Sequence, residues 1–276
     1  MSNTIVTDHA LALRLEHAEA LANVASIEAR AAVEPHAGAT WIELDGTFAM
    51  FDGPRSPLTQ TFGLGMSAAP TPTALATIES FFSSRNADTM HETCPLADPD
   101  LLRLLPERGY RPIEQSSVLY QPLSAASHRD GEQHGSVRVR VINANEIHLW
   151  AITTSRGWGD TPHLAQFMLE FGHIYASAAG MSGFIAEWDG EPAAAAAISI
   201  RDGVALLAGA STIPAFRGRG LQTALLRARL AHGALAGCDL AMMAAAPGGG
   251  SQRNAERRGF RIAFTRTKWA LANGGA

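Results

Sequence analysis

The sequence predicts a mixed α/β fold in which a central sheet is flanked by helices. Short apolar runs typical of strands alternate with segments of helical periodicity along the whole chain. Asp-Gly pairs at 45–46 and 189–190 stand between apolar runs and predict β-hairpins. A glycine-rich turn at 217–220 joins a predicted buried strand to a predicted helix. These three observations together indicate the fold class.

Length and composition limit the classes of function. A chain of 276 residues exceeds the usual size of one domain, so we expect two. Its 46% hydrophobic residues can form a sizeable core, and a formal charge of −4 gives no general attraction to nucleic acid or anionic membrane. The first residues lack a signal-type apolar region, and no stretch approaches 18 uninterrupted apolar residues. We therefore expect a cytoplasmic protein with no nucleic-acid partner and no membrane partner.

The cysteines predict neither a disulfide framework nor a metal site. The chain has two, Cys94 and Cys238, neither of them in a CxxC pair. No His/Cys cluster has the spacing of metal ligands. Both cysteines lie in apolar stretches, so we expect buried thiols and no metal.

The first half of the chain predicts a helix followed by alternating strands and helices. Its predicted helices are 8–33, 72–84 and a short one ending at 105, and its predicted strands are the hairpin 39–52, then 60–66, 89–94 and 114–123. Residues 124–135 are polar, lack periodicity and predict a linker.

The second half predicts the order β, α, α, β, β, β, α, β, α, β. Its predicted strands are 136–142, 184–188, 192–200, 204–213, 238–246 and 260–271, and its predicted helices are a pair within 143–180 interrupted at 156–160, then 221–236 and 251–258. Within 221–236, one predicted buried face carries Leu221, Ala224, Leu225, Ala228, Ala231 and Leu235, and a second carries Leu226 and Leu230.

The turn at 217–220 predicts an anion site. The first turn of the following helix leaves backbone N–H groups unpaired, and the helix dipole favours negative charge there. Gly218 and Gly220 let a phosphate approach the backbone closely, and Arg217 and Arg219 add charged donors. The sequence therefore predicts a phosphorylated cofactor.

Three classes of cofactor compete for this turn. A P-loop requires Gly-Lys-Ser/Thr, whereas Gly220 is followed by Leu-Gln-Thr. A dinucleotide fingerprint requires a third glycine, and Thr223 stands in its place. Coenzyme A is the third class.

The segment from Pro214 to Leu221 resembles the pyrophosphate-binding signature of the GNAT superfamily of acyl-CoA N-acyltransferases, Arg/Gln-x-x-Gly-x-Gly/Ala. Arg217 and Gly220 match it, whereas Gln222 departs from the usual Gly or Ala. The element order of residues 136–271 is also similar to that of the GNAT fold. Phe260, preceded by glycine, matches the Gly-Phe that closes the family's last helix.

The resemblance implies acetyl-CoA as acyl donor substrate and no metal. It also implies that the strand before the turn separates from its neighbour and pairs with the pantetheine arm, and Gly209 is a candidate bulge residue in that strand. The residues that it assigns to cofactor binding are Ser211, Thr212, Ile213, Arg217, Gly218, Arg219, Gly220, Leu221, Gln222, Thr223, Ser251 and Asn254. Arg227 and Arg229, on the following helix, are interpreted as solvated charge, with a phosphate contact as the alternative.

The catalytic groups are less well indicated. Glu187 is the candidate general base, and the alternative is a solvated strand carboxylate. Many GNAT enzymes carry a tyrosine acid five residues before the closing Phe, and here that position is Ala255. We therefore expect direct attack with no tyrosine acid. Tyr175 is the one tyrosine of the second half.

The first half resembles the second more faintly. Residues 107–110, Glu-Arg-Gly-Tyr, are followed by a predicted strand. Residues 256–260, Glu-Arg-Arg-Gly-Phe, are similar in sequence and are also followed by a predicted strand. The link at 67–71, Ser-Ala-Ala-Pro-Thr, has no glycine turn, and its proline has no N–H to donate. We interpret residues 1–123 as a degenerate GNAT-like module that binds no CoA; the alternative is an unrelated α/β domain. The predicted division is thus 1–123, a linker at 124–135, and a catalytic domain at 136–276.

The predicted function is an N-acyltransferase that moves acetyl from acetyl-CoA to a primary amine of a small molecule or peptide. The alternative is a non-catalytic CoA-binding module acting in regulation or assembly. The expected partner is the amine acceptor, and a homodimer stays open beside a monomer.

Overall fold

The computed structural model describes residues 6–124 and 136–271. The chain folds as two compact units: unit 1 comprises Met1–Tyr120 with Ala244–Ala276, and unit 2 comprises Gln121–Met243. The predicted linker lies outside the described residues except for residue 124. Among the described residues, no helix has the length and apolar character needed to cross a bilayer.

The order of helices and strands confirms the mixed α/β fold class. In chain order the elements are α1 (His9–Val33), β1 (Thr40–Leu44), β2 (Thr47–Phe51), β3 (Gln60–Phe62), α2 (Pro72–Ser83), β4 (Thr89–Thr93), α3 (Leu101–Glu107), β5 (Arg111–Pro122), β6 (Val137–Val141), α4 (Ile147–Gly157), α5 (Pro162–Ser177), β7 (Met181–Trp188), β8 (Glu191–Arg201), β9 (Val204–Thr212), α6 (Leu221–Leu235), β10 (Leu240–Ala245), α7 (Gly250–Glu256) and β11 (Arg261–Leu271).

Both predicted hairpin turns are confirmed. Asp45 and Gly46 have φ of 51° and 77°, and Asp189 and Gly190 have φ of 49° and 85°. Positive φ at both central residues defines the turn that matches the twist of antiparallel strands. The strand predicted at 60–66 is shorter than expected and ends at Phe62, because the glycines at 63 and 65 adopt left-handed backbone that breaks the ladder.

The sheet of unit 1 has the order β1-β2-β3-β4-β11-β5. The last strand of the chain, β11, is antiparallel to both β4 and β5; Trp269 lies opposite His91 on one side and Pro112 on the other. The C-terminal strand therefore completes the sheet of unit 1. The predicted division into modules at 1–123 and 136–276 stays a prediction.

Strand β2 is buried on both faces of that sheet. Phe48 and Met50 share a cluster with α1 residues, whereas Ala49 and Phe51 share a cluster with α2 and α3 residues. Successive side chains of a strand point to opposite faces. The unbroken apolar run of β2 is thus the sequence of a strand covered by helices on both sides.

The sheet of unit 2 has the order β10-β9-β8-β7-β6. One face packs against α4, where Trp150 joins Ile185, Ala195 and Ala197. The neighbouring residues of these strands face α6, and the ring of Phe184 meets His232 edge-on. Unit 2 therefore has helices on both faces of its sheet.

Helix α6 buries four of the five leucines that the sequence placed on its buried faces, and Leu235 is the exception. The residues that it buries are Leu221, Leu225, Leu226, Arg229, Leu230, Gly233 and Ala234. Gly233 lies so close to β9 that an added Cβ would stand 2.8 Å from the Cβ of Ala205. This close approach centres the contact on Gly233, and Leu235, two positions further round the helix, is 84% exposed. The prediction that Leu235 lies on a buried face is wrong, as is the interpretation of Arg229 as solvated.

Candidate functional site

The turn between β9 and α6 has the backbone of an anion site. A short 3-10 turn, Pro214–Phe216, follows β9, and Gly220 is the N-cap of α6. Gly218 and Gly220 have φ of 78° and 80°. A Cβ at either position would meet nothing within 4 Å. Glycine is therefore required by the left-handed backbone and not by crowding, and the space beside it is open.

The N-terminus of α6 carries no side-chain cap among the described residues. Residues 217–220 are exposed. The first backbone N–H groups of a helix have no partner within the helix, and the dipole adds a positive field there. An exposed, uncapped N-terminus after two left-handed glycines suits an anionic group.

The two arginines of the turn contact the protein itself. The guanidinium of Arg217 is ion-paired with Asp160 and donates to the carbonyl oxygens of Thr212 and Gly157, each at 3.3 Å. Arg219 lies over the ring of Trp188, 4.9 Å from its centroid. Arg217 thus ties the turn to the loop that follows α4.

Strand β9 contains the predicted bulge. Ala195 of β8 pairs with Ser211, and Ala197 pairs with Ala208, so two residues of β9 oppose one residue of β8. Gly209 lies within the bulge and has a φ of 61°. A glycine in left-handed backbone is the usual residue of such a bulge, which bends the strand locally. The prediction for Gly209 is confirmed.

Strands β9 and β10 run in register only at their first residues. Parallel pairing joins residues 204–206 of β9 to residues 240–242 of β10, and the register ends there. Strand β9 continues to Thr212 with β8 on its other side. The strand that leads to the turn thus separates from its parallel neighbour over its second half.

The end of β9 is held by its neighbours. Ile213 donates its N–H to the carbonyl oxygen of Ala193 at 3.0 Å, so that N–H is already paired. The Ser211 hydroxyl donates to the Thr154 carbonyl oxygen at 3.0 Å. Since backbone groups alternate in direction along a strand, Thr212, between these two residues, faces away from β8.

Gln222 links the helix to the strand. Its side-chain N–H donates to Oγ1 of Thr212 at 2.7 Å. This contact gives the residue that departs from the family signature a structural role, because it holds the first turn of α6 against the end of β9. Leu221 is buried beside it, and Thr223 follows in the same first turn.

A buried guanidinium supports the bulge from the α6 side. Arg229 is 4% exposed, and its Nη1 donates to the carbonyl oxygens of Ala197 at 3.1 Å and Ala208 at 3.4 Å. These two residues form the strand pair at one edge of the register shift. Burial lowers the pKa of Arg229 to about 10, and the group stays charged at neutral pH. The sequence could not predict this burial, because the helical pattern places an arginine at this position on the solvent-exposed side of the helix.

The candidate base Glu187 lies on β7 and is 8% exposed. Nε of Arg140 contacts its Oε1 at 2.8 Å, and the same guanidinium contacts Glu146 at 2.7 Å. The two carboxylates hold the pKa of Arg140 above its usual value. The carboxylate is neither solvated nor free, and its catalytic role stays a prediction.

Aromatic side chains gather beside the bulge. The ring of Tyr175 stacks on Trp150 with centroids 6.2 Å apart, and its Cε1 lies 3.7 Å from the position of a Cβ at Gly209. Phe171 continues the group along α5. The glycine at the bulge therefore leaves room that these rings border.

The remaining predicted residues, Ser251 and Asn254, lie on α7, which belongs to unit 1. Ser251 is exposed and Asn254 half-buried. The N-cap of α7 is Gly249, so Ser251 does not cap the helix. Their assignment to cofactor binding stays a prediction.

The sequence of residues 146–260 matches the family model described as "Acetyltransferase (GNAT) family". That segment contains the turn, the bulge and the whole of α6. Residues 146–260 form a GNAT domain. No curated protein matches the sequence significantly.

Solved GNAT proteins share the fold. A GCN5-related N-acetyltransferase from Kribbella flavida has a TM-score of 0.65 at 21% identity, with 91% of this chain and 96% of that chain covered. A tandem GNAT protein from the clavulanic acid biosynthesis pathway has a TM-score of 0.59 at 14% identity, with 83% and 79% covered. A putative GNAT-family acetyltransferase from Novosphingobium aromaticivorans has a TM-score of 0.51 at 19% identity, with 90% and 97% covered. The GNAT family indicates acyl transfer as the general chemistry.

Proposed function

We propose that this protein is a cytoplasmic N-acyltransferase that moves the acetyl group of acetyl-CoA to a primary amine of a small molecule or peptide. One observation carries the proposal. Two left-handed glycines lead into the uncapped N-terminus of α6, directly after a strand that separates from its parallel neighbour. That arrangement suits a long ligand with a phosphorylated end.

The turn would hold the pyrophosphate of the acyl donor. Its backbone N–H groups are oriented donors that cost no side-chain entropy, and the open space beside Gly218 and Gly220 admits phosphate oxygens. Arg219 is exposed and can add charge at the rim, whereas Arg217 acts by fixing the turn to Asp160. Residues 211–213 and 221–223 complete the proposed contacts within unit 2.

The separation of β9 from β10 would receive the pantetheine arm. Thr212 faces away from β8, so its backbone groups lie on the side where parallel pairing has ended. An amide-containing arm can continue the ladder there as an added strand would. The N–H of Ile213 belongs to the pairing with β8 and is left out of this proposal.

Acetyl-CoA supplies an activated thioester, so the protein must position it and take a proton from the amine. The bulge at Gly209 turns backbone groups of β9 out of the ladder, and an N–H aimed at the carbonyl oxygen would stabilise the negative charge that develops there. Because a thiol has a pKa of about 8.5, the CoA thiolate is a good enough leaving group to depart without protonation by a tyrosine. Glu187 is the proposed base.

A non-catalytic CoA-binding module is the second candidate, and one observation favours it. The carboxylate of Glu187 is already engaged by Arg140, which leaves the candidate base in a structural ion pair. Such a module would bind CoA through the same turn and transfer nothing.

A thiol-release assay separates the two candidates. The protein is incubated with acetyl-CoA and a panel of polyamines, amino acids, aminoglycosides and peptides, and free thiol is followed with time. The enzyme hypothesis requires release that depends on one class of amine. Tight CoA binding by calorimetry with no amine-dependent release across the panel would favour the module.

A further inference from the structure

The aromatic side chains beside the bulge form a continuous row on the side of the unit 2 sheet that α4 and α5 cover. The ring of Tyr175 stacks on that of Trp150 with centroids 6.2 Å apart, and it lies 6.2 Å from the ring of Phe171. Phe171 stacks in turn on Phe167, with centroids 5.2 Å apart. Ring contacts thus link the bulge to the first half of α5.

Two of these rings are partly open to solvent. Trp150 and Phe171 are buried, and the indole N–H of Trp150 donates to the carbonyl oxygen of Ala196 at 3.0 Å. Tyr175 and Phe167 are half-buried. The buried rings therefore form a fixed base, and the half-buried rings form a surface that an apolar group of a ligand can cover.

Tyr175 connects this row to the proposed reaction centre. Its Cε1 lies 3.7 Å from the position of a Cβ at Gly209, the half-buried bulge residue. In the proposed function the acyl carbonyl lies at the bulge. An amine that attacks there can lay its carbon chain along Tyr175 and on toward Phe167.

The elements that carry the bulge and the rings contain few negative charges. Helix α4 and strand β9 have no aspartate or glutamate, whereas α5 has Glu170 and β8 has Glu191. Both carboxylates are exposed, and Glu170 accepts a hydrogen bond from Gln166. Asp160, between the two helices, is ion-paired with Arg217. These four elements therefore offer no set of carboxylates to a ligand with several ammonium groups.

A positive charge lies against the bulge. Nη1 of Arg229 donates to the carbonyl oxygens of Ala197 and Ala208 beside it. Because Arg229 is buried, water and salt screen its charge only weakly. Its field disfavours an ammonium ion at the bulge and favours the neutral amine, which is the form that attacks a carbonyl carbon.

We propose that the acceptor is a primary amine with one positive charge in solution and an aromatic group, and that this group lies on Tyr175 and Phe167. The inference rests on the proposed function and names the substrate class of that site. The neutral amine nitrogen bonds to the acetyl carbonyl carbon, and one N–H proton passes to Glu187. The C–S bond breaks, and its electron pair leaves on the sulfur of CoA.

The test compares three amines that share a four-carbon chain, each with acetyl-CoA and the full-length protein. 4-Phenylbutylamine ends in an aromatic ring, n-butylamine ends in a methyl group, and 1,4-diaminobutane ends in a second ammonium group. Thiol release should give 4-phenylbutylamine a kcat/KM about tenfold or more above that of n-butylamine, because the ring covers apolar surface. The value for 1,4-diaminobutane should be the lowest of the three.

Two variants locate the aromatic group. Phe167→Ala removes one of the half-buried rings and should raise KM for 4-phenylbutylamine about tenfold, while KM for n-butylamine stays within about twofold. Leu169→Ala, at an exposed position of the same helix, should change neither value. Should Phe167→Ala fail to fold, the comparison of the three amines on the unaltered protein still decides.

Binding can also be measured without turnover. Calorimetric titration of the protein saturated with CoA should give 4-phenylbutylamine a Kd about tenfold or more below that of 1,4-diaminobutane. Equal affinity for the two amines would overturn the inference, as would an unchanged KM for 4-phenylbutylamine in folded Phe167→Ala.

The assays separate the failure of this inference from the failure of the proposed function. Thiol release with polyamines, aminoglycosides or peptides but not with 4-phenylbutylamine would overturn the amine class and leave acyl transfer standing. CoA binding with no thiol release for any amine would overturn both.

Discussion

The guanidinium of Arg229 donates a hydrogen bond to the carbonyl oxygen of Ala197 at 3.1 Å, and so places a buried positive charge against the bulge of β9. The same nitrogen reaches the carbonyl oxygen of Ala208 at 3.4 Å, and Ala208 is the β9 residue that pairs with Ala197 beside the register shift. Arg229 thus gives two backbone carbonyls beside the bulge a charged donor.

Arg229→Met should therefore destabilise the protein. The variant loses two hydrogen bonds from a buried guanidinium, each of which contributes about 1 kcal/mol, so we expect the free energy of unfolding to fall by about 2 kcal/mol. Arg227→Met, on the exposed side of the same helix, should change it by no more than about 0.5 kcal/mol. Urea unfolding measures both, and equal effects would show that the buried contacts contribute little.

Gly220→Asp should weaken CoA binding without unfolding the protein. The aspartate places a negative charge and a Cβ at the proposed pyrophosphate site, and CoA affinity should fall tenfold or more, which is about 1.4 kcal/mol. Gly237→Asp is the matched control, because Gly237 has a φ of 85° and equally open space, just beyond the opposite end of α6. Calorimetry with CoA decides, and equal affinity in the two folded variants would refute the turn assignment.

Each chain should bind one CoA. Unit 1 has no glycine turn at residues 67–71, where proline stands at position 70, so the backbone lacks the donors that a pyrophosphate requires. Titration of the full chain should saturate at one equivalent. Saturation at two equivalents would overturn the interpretation of the first module as degenerate.

Tyr175→Phe tests the expectation of direct attack. The ring of Tyr175 borders the bulge and stacks on Trp150, and phenylalanine keeps that ring. Without an acid role for the hydroxyl, kcat should stay within about threefold once an acceptor is known. A drop of about 100-fold or more, the effect expected for losing a general acid, would assign proton donation to Tyr175.

His91 should make unit 1 sensitive to acid. Thr61 Oγ1 lies 2.7 Å from its Nδ1 and Tyr110 Oη 3.0 Å from its Nε2, an arrangement that suits neutral imidazole. Burial lowers its pKa to about 3 from 6.5. A lowered pKa in the folded state gives stability that is present above pH 6.5 and is lost as pH falls toward 3.

His91→Gln should remove this contribution, so the variant should lose less stability between pH 7 and pH 4 than the unaltered protein. His36→Gln, at an exposed position, should follow the unaltered protein. Urea unfolding at several pH values measures the difference. Parallel pH profiles for all three proteins would show that His91 does not titrate with folding.

The element order, the two hairpin turns, the glycine turn and the bulge residue could all be predicted from the sequence. Each depends on residues close together in the chain. Gly218 and Gly220 are typical of left-handed backbone wherever they occur, and Asp-Gly pairs set a hairpin turn by local dihedral preference.

The departures arise from contacts between residues far apart in sequence. Strand β11 is an ordinary apolar segment, and only its fit between β4 and β5 places it in unit 1. Arg229 follows the polar pattern of a helix surface, yet a bulge twenty residues earlier gives it carbonyl partners. Glu187 forms its ion pair with Arg140 because β6 and β7 pair, although the two residues are 47 positions apart in the sequence. Periodicity states which side of an element is apolar, whereas the partner that a buried charge finds is decided by tertiary packing.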